Sequence, residues 1–300
     1  MTAGLSSEPV ITTSPGRAAG PAEFVAANKL AAFAMLLAVV LVVVALLAGL
    51  VAPFDPDQQK LLSRLRPPLG FPRADAAHWL GTDQLGRDIL SRCIFGLRLT
   101  LAMAFFGTLV SIVFGCLIGI VAGLARGAVD DMLMAAVDIM LSLPFTLVAL
   151  LFIALAGSNI YILIFVLGLA HWAQFARLSR AQVIGIRDLP YLEAARAAGA
   201  GPLRIALKHM LPNMVSPIVV MATLCFSSLI LLESSLSFIG LGVQPPTATL
   251  GSMVGQGRDY LSTAPWVVVV PALFIVVVSL VAMLIGDFLR DYFDVRLRER

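Results

Sequence analysis

Ile139-Met-Leu-Ser-Leu-Pro-Phe-Thr-Leu-Val-Ala-Leu-Leu-Phe-Ile-Ala-Leu-Ala-Gly-Ser-Asn-Ile-Tyr-Ile-Leu-Ile-Phe-Val-Leu-Gly-Leu-Ala-His-Trp-Ala-Gln-Phe-Ala176 contains no Asp, Glu, Lys or Arg. Spanning about 30 Å of hydrocarbon takes about 20 residues of helix, so this stretch is long enough for two crossings. The turn-forming tripeptide Gly157-Ser158-Asn159 is where it divides. The same ruler, carried outward in both directions, gives spans at Leu30–Val51, Leu99–Ala125, Met132–Ala156, Ile160–Ala176, Met214–Leu236 and Pro265–Leu289. The sequence therefore predicts an all-α polytopic membrane protein with six transmembrane helices.

Composition agrees. Hydrophobic residues make up 59% of the chain and charged residues 13%, about half the roughly 25% of soluble domains, and the mean hydropathy is +0.95. A bundle in lipid needs polar surface only at its two ends, whereas a soluble domain needs it everywhere. The net charge of +3 is dispersed along loops with no basic stripe interleaved with aromatics, which argues against a nucleic-acid partner. Cys93, Cys116 and Cys225 are far apart and odd in number, and read as small hydrophobes rather than as a disulfide framework or zinc site.

Thr2–Gly20 is rich in Ser, Thr, Gly, Pro and Ala without an apolar period, the composition of a disordered tail. Leu30–Val51 exceeds the roughly 7–15 residues of a signal-peptide core, so it is expected to remain as an anchor. Six spans put both termini on one side. Of the 21 Lys and Arg, 13 fall on the side of the termini; seven of the other eight sit in the long loop Phe54–Arg98, where the charge rule is weak. Both termini are therefore placed in the cytoplasm. The expected organisation is a cytoplasmic tail (1–28), a first helix (29–53), an extracytoplasmic loop ending in a helix that enters the membrane (54–98), a five-helix core (99–290) with a cytoplasmic loop at 177–213, and a short tail (291–300). No repeat relates the halves, so any pore symmetry must come from a second subunit.

The most informative loop runs Asp188-Leu-Pro-Tyr-Leu-Glu-Ala-Ala-Arg-Ala-Ala-Gly-Ala-Gly-Pro-Leu-Arg-Ile-Ala-Leu-Lys-His-Met-Leu-Pro212. Asp188 as N-cap and Pro190 in the first turn start a short helix; Gly199 and Gly201 stop it, and Pro202 begins the next. Ala194, Ala195, Ala197 and Ala198 give a shallow face that a partner's groove can approach closely, with Glu193 free to pair with Arg196 or with a partner's basic group. The plain alternative is a cytoplasmic linker whose alanines merely favour helix.

Glu193-Ala194-Ala195, then Gly199, then His209-Met210-Leu211-Pro212 resembles the EAA loop of ABC importer permeases. Two further stretches narrow the resemblance. His78-Trp-Leu-Gly-Thr-Asp-Gln-Leu-Gly-Arg-Asp88, with Ser91-Arg92 and Gly96-Leu97-Arg98, is similar to the signature after the first helix of peptide/nickel-type permeases of the "C" subunit. So are Leu236-Ser-Phe-Ile-Gly-Leu-Gly-Val-Gln-Pro-Pro246, Gly257-Arg-Asp-Tyr260, Ala264-Pro-Trp266 and Gly286-Asp-Phe-Leu-Arg-Asp291 to the last two helices of that subunit. The chain departs from the family at Leu250, usually Trp, and at Val295, usually Pro.

The resemblance implies a type I ABC importer permease fold in which Tyr191, Glu193, Ala194, Ala195, Ala198, Gly199, His209, Leu211 and Pro212 form the coupling segment on an ATPase. It also implies a second, B-type permease subunit completing the pore, two ATP-binding subunits that hold ATP and Mg, a periplasmic or lipid-anchored solute-binding protein, and no cofactor on this chain. The implied cargo is peptide or a related small solute such as a nickel chelate or glutathione, carried across the bacterial inner membrane.

Outside that loop, the His78–Arg98 region reads as a turn feeding a membrane-entering helix. Asp83 is its expected cap, and Arg87, Arg92 and Arg98 are expected at the headgroups. Asp138 and Glu233 lie inside the spans, where a charge costs on the order of 2.5–3.5 kcal/mol and is expected to face the bundle interior, although Asp138, only about two turns from the cytoplasmic side, reads better as a charge made harmless by its closeness to the helix end. Glu233, with Ser237, stands either on the translocation path or gate, or harmlessly among polar neighbours such as Ser234 and Ser235. His171, Trp172 and Gln174 read as an interfacial anchor. No lysine lies in a Gly-Lys-Ser/Thr sequence, and neither a His-Glu-x-x-His nor a Gly-x-Ser-x-Gly motif occurs, so the sequence offers neither a P-loop nor a recognisable hydrolase. Two other classes are weighed against the importer: an ion-coupled carrier acting alone, which needs several partnered midplane charges, and an intramembrane hydrolase, for which Ser237 and His171 are available but unpaired by any motif.

Overall fold

Asn28 opens the first helix by accepting hydrogen bonds from the backbone N–H groups of Leu30 and Ala31. The computed structural model describes residues 28–298, with side chains to Phe293 and without that of Pro202; the rest of the tail expected over 1–28 lies outside the described residues. Helix α1 (Lys29–Leu46) and the short α2 (Ala48–Val51) lead into the long loop. There follow α3 (Ile89–Ala125), α4 (Ala128–Ser142), α5 (Phe145–Ala156), α6 (Ile160–Ile186), α7 (Pro190–Ala197) and α8 (Pro202–Ile205). A π-helical turn (Ala206–Met210), α9 (Leu211–Phe238), α10 (Leu250–Gly257) and α11 (Trp266–Arg298) complete the order. Among the described residues five helices are long and apolar enough to cross a bilayer by themselves, and α4 with α5 forms an apolar bent pair that makes six if the pair is one span.

That bend departs from the single helix expected over Met132–Ala156: α4 and α5 meet at 94°. The cause is Pro144, which has no N–H to donate and forces Leu143 into extended backbone (φ −86°, ψ 136°). The turn after α5 falls where expected. Gly157 takes φ +87°, and the side chain of Asn159 caps α6 by accepting from Tyr161 N at 3.0 Å. Helix α3 begins at Ile89, earlier than the expected Leu99, and at 1.5 Å per residue its 37 residues reach about 55 Å, well beyond the hydrocarbon.

The most extensive helix pairing is α3 against α6, and small residues make it possible. Gly107, Ser111, Gly115, Gly119 and Gly123 recur every fourth residue along α3, so they share one face. A Cβ at Gly115 would meet Trp172 O at 2.4 Å, and one at Gly119 would meet Ala176 O at 2.3 Å. The two backbones are thus as close as glycine permits, and Ser111 Oγ donates to Gly168 O at 2.7 Å across the same seam. In lipid, where apolar burial gives no preference for protein over acyl chains, this close packing is what holds helices together. The three cysteines are buried within the bundle.

The Phe54–Asp88 loop folds onto the N-terminal ends of α3 and α11. Trp266 Nε1 donates to Thr82 O at 3.2 Å and Phe54 N donates to Ser91 Oγ at 3.1 Å. Here the expected roles of the charges change. Asp88, not Asp83, caps α3, accepting from Ser91 N at 2.8 Å. Asp83 instead takes Arg87 Nε at 2.7 Å and Arg92 Nε at 3.6 Å, all three side chains buried. Neither Arg87 nor Arg92 snorkels to headgroups: both neutralise an acid inside the loop, since an unpaired buried charge is far costlier than an exposed one. Arg98, by contrast, is exposed.

Candidate functional site

At the other end of the bundle, the polypeptide leaves α6 through an arginine-rich edge. Arg177 Nη2 meets Asp138 Oδ1 at 2.5 Å, and Arg180 holds Asp130 with Nε at 2.5 Å and Nη2 at 2.7 Å. Arg187 donates from Nη1 to Gly123 O at 2.6 Å. The first two pairs join α6 to α4 and the third joins it to the end of α3. The bidentate Arg180–Asp130 pair is the strongest of these by geometry. Asp138 therefore does not face the bundle interior; it is exposed and satisfied by Arg177, the harmless role its closeness to the helix end favours.

The next residues form α7. Leu189 occupies its N-cap position without a side-chain bond and Pro190 is its first residue. Asp188 does not cap it; it pairs with Arg126 and, at 3.4 Å, with Arg187. The helix ends in a Schellman turn: Gly199 N donates to Arg196 O at 2.9 Å and Ala200 N to Ala195 O at 3.0 Å, with Gly199 at φ +83°. Between these ends only Leu192 is buried, fully, among Phe175, Val183, Ile205, Met210 and Met214. Tyr191, Glu193, Ala194, Ala197, Ala198 and Gly199 are exposed and Ala195 is half-buried. Glu193 makes no ion pair with Arg196 or with any other described residue.

The return into the membrane starts with a π-helical turn, Ala206–Met210, in which Leu211 N reaches back to Ala206 O. Pro212 is the reason: it has no N–H and its ring crowds the preceding turn, and the wider turn relieves both. His209 is half-buried beside Tyr191, their ring centroids 6.3 Å apart, while Leu211 and Pro212 are exposed. Asn213 ties the two strands of the loop, donating to His209 O at 2.6 Å and to the Tyr191 hydroxyl at 3.4 Å. The structure thus brings the two halves of the expected coupling segment into one surface. It adds three residues that sequence reasoning did not name: Leu192, Asn213, and Leu203, which is 71% exposed.

Glu233 and Ser237 lie apart from this surface, near the C-terminal end of α9. Glu233 Oε1 accepts from Ser237 Oγ and from Thr249 Oγ1, each at 2.7 Å, and the carboxylate is closed off from solvent. Thr249 caps α10, accepting from Ser252 N at 3.0 Å. Leu250, in the position the family usually fills with Trp, is buried and donates its N–H to Thr100 Oγ1 on α3 at 3.2 Å. Glu233 is therefore the knot that ties α9 to α10, and Ser237 borders a cavity of about 350 Å³ with Gln244 and Gln256. Ser237 and His171 do not engage each other: His171 Nδ1 meets Gln174 Oε1 at 3.2 Å. Glu233→Gln keeps the acceptor for both hydroxyls, so it should leave the melting temperature of the purified protein near wild type. Glu233→Leu strands two buried hydroxyls and should destabilise by about 1–3 kcal/mol; equal melting of the two variants would contradict the knot.

The paired arginines at the end of α6 and the short helix α7 lie together at one end of the bundle, with the exposed residues of α7 beside them. Comparison with known proteins gives the family. Residues 115–299 match the family described as binding-protein-dependent transport system inner membrane component. The chain belongs to that family. Residues 26–68 match a second family, the N-terminal transmembrane domain of oligopeptide transport permease C. The chain is 40% identical to the di/tripeptide transport system permease protein of Pseudomonas aeruginosa (strain UCBPP-PA14), over 90% of this chain and 89% of that one. It is 37% identical to the glutathione transport system permease protein of Shigella flexneri serotype 5b (strain 8401), over 90% and 88%. Its fold matches a solved structure of the MetNI methionine ABC transporter in an inward-facing conformation, with TM-score 0.54 and 22% identity, over 66% of this chain and 94% of that one. The fold is that of a type I ABC importer permease, and the chain is a multi-pass transport permease of the inner membrane.

Proposed function

We propose that this permease carries small peptides, or a chemically related solute such as glutathione, inward, driven by ATP that separate subunits hydrolyse against the α7 surface. The observation that carries the proposal is α7 itself: eight residues, closed by Pro190 and Gly199, with Leu192 its one buried side chain and Ala194, Ala197 and Ala198 exposed. A helix so placed is a lever. A partner that grips its alanine face moves it as a rigid piece, and Leu192 passes that motion to α6 and α9 through Phe175, Met210 and Met214. Coupling further requires that the ATPase bind two arrangements of the pore with different affinity.

The α7 end and both termini lie in the cytoplasm, and the Phe54–Asp88 loop faces outward, where a solute-binding protein delivers cargo. A second permease subunit completes the pore. ATP and Mg belong to the partner subunits, and this chain catalyses no reaction of its own. Glu233 and Ser237 act on the outer gate by fastening α10 to α9. Support for the peptide class comes from the relatives, which are named as peptide and glutathione permeases.

Reconstituted with its partners in proteoliposomes, the permease should take up solute when ATP is present on the α7 side and not when an ion gradient alone is imposed. Uptake by the purified chain alone, driven by an ion gradient, would establish a secondary carrier instead. Leu192→Ala tests the lever. It leaves every span intact but loosens α7, at a cost in the range of about 2–5 kcal/mol for a buried leucine. ATP hydrolysis should persist while solute moved per ATP falls severalfold, and protease should cut near α7 faster than in wild type.

A further inference from the structure

At the outer end of α3, Arg98 lines a cavity of about 270 Å³ together with Asp57, Phe95, Thr247 and Ala248. That volume is near the lower end of the roughly 300–1,000 Å³ range of small-molecule sites. The arginine is exposed and makes no hydrogen bond or ion pair with any described residue. Its neighbours on α3 and in the loop behave differently: Arg87 and Arg92 are buried on Asp83. Asp57 faces the same cavity with its side chain 53% exposed, approached only by Arg92 Nη1 at 3.9 Å. Arg98 and Asp57 thus bear opposite charges on one cavity and do not pair within 4.0 Å. Phe95, Leu99 and Ala102 supply apolar lining to the same cavity.

A cation and an anion held apart across a small, partly apolar cavity are complementary to a short zwitterion with its charges at opposite ends. We infer that this cavity is a reception site for the free termini of a small peptide, Arg98 taking the α-carboxylate and Asp57 the α-ammonium. Arg98 suits the carboxylate because its planar fork can donate two parallel hydrogen bonds. Thr247 adds a hydroxyl to the lining. The site is built where the Phe54–Asp88 loop, which supplies Asp57, meets α3, which supplies Arg98, on the side from which an imported solute arrives. This inference rests on the peptide-import reading and makes it specific: recognition reads the termini, and side chains contribute little.

The test uses the full complex, purified by a tag on this chain and placed in nanodiscs of phosphatidylcholine with phosphatidylglycerol, without any solute-binding protein. Equilibrium binding of radiolabelled dialanine is compared with that of dialanine amide, which lacks the carboxylate. Wild type should prefer dialanine by about tenfold, the scale of one charge-assisted hydrogen-bond pair. Arg98→Gln should bind both equally and weakly, Arg98→Lys should keep part of the preference, and Asp57→Asn should lose discrimination against N-acetyl-dialanine while still rejecting the amide. An unchanged preference in Arg98→Gln, or none in wild type, overturns the site. Loss of bound phosphatidylglycerol in Arg98→Gln with dialanine binding unmoved would assign the arginine to a lipid headgroup and overturn it equally. The two readings fail separately: absent ATP-driven uptake with this binding pattern intact sinks the import reading, whereas ATP-driven uptake without carboxylate preference sinks only the site.

Discussion

Replacing Gly119 with leucine should remove the folded protein from detergent extracts. A side chain there starts 2.3 Å from Ala176 O, 2.7 Å from Ser179 Cβ and 2.9 Å from Arg180 N, and two of those three atoms are backbone that cannot rotate away. Overpacking a core usually costs about 1–3 kcal/mol because side chains yield. In this seam α3 and α6 must move apart instead, and with them go the Ser111–Gly168 bond and the tight fit at Gly115 and Gly123. Size-exclusion profiles of tagged protein should show the monodisperse peak lost in Gly119→Leu and reduced in Gly119→Ala. Gly185→Leu is the control: it lies on the same helix pair but has nothing within 4 Å of its added Cβ, and should elute as wild type. A wild-type peak for Gly119→Leu would mean that the seam does not hold the fold.

The second large effect is on coupling. Glu193→Lys should lower uptake per ATP by about tenfold or more, the scale on which reversed or truncated interface charges act. The carboxylate is exposed and unpaired within the described chain, so it contributes nothing to folding that reversal could destroy. Gly199 offers a sharper contrast. Its added Cβ would meet open space, so only its φ of +83° resists substitution. Gly199→Asn, which tolerates that conformation, should couple nearly normally, whereas Gly199→Val, paying about 1–2 kcal/mol for a left-handed backbone, should unwind the end of α7 and uncouple. Equal uptake in the Asn and Val variants would mean that the Schellman turn is irrelevant to transport.

How far the sequence carried this account varies residue by residue. Spans were readable because length and missing charge are local properties, and the turn at Gly157–Asn159 was readable because Gly and Asn supply its φ and its cap. The 94° break was also written, at Pro144, but a ruler that counts apolar residues is blind to one missing N–H. The glycine stripe on α3 stood in plain view at every fourth position; read as hydrophobic content, it disappears into the span. Asp88, Asp138 and Asp188 show the limit more clearly. Each has a local reading, as part of a turn, as a buried charge, or as a cap, and each is decided by what the fold brings near it: His78 and Ser91, Arg177, and Arg126. Leu192 is the same lesson at the coupling surface. Nothing in Tyr191-Leu192-Glu193 distinguishes the leucine that anchors α7 from a leucine on its exposed face, because burial with Phe175 and Met214 is a tertiary fact.

Cysteine cross-linking from the outward face of α7 tests the central claim most directly. The native Cys93, Cys116 and Cys225 are all buried and do not compete. With cysteine in place of Ala198, oxidation of native membranes should join this chain to the ATP-binding subunit when that subunit carries a cysteine in its facing cleft, and ATP should change the yield. Cysteine in place of the buried Leu192 should form no such bond. An Ala198→Cys chain that remains uncross-linked in the intact complex, or links only to another copy of itself, would contradict the account.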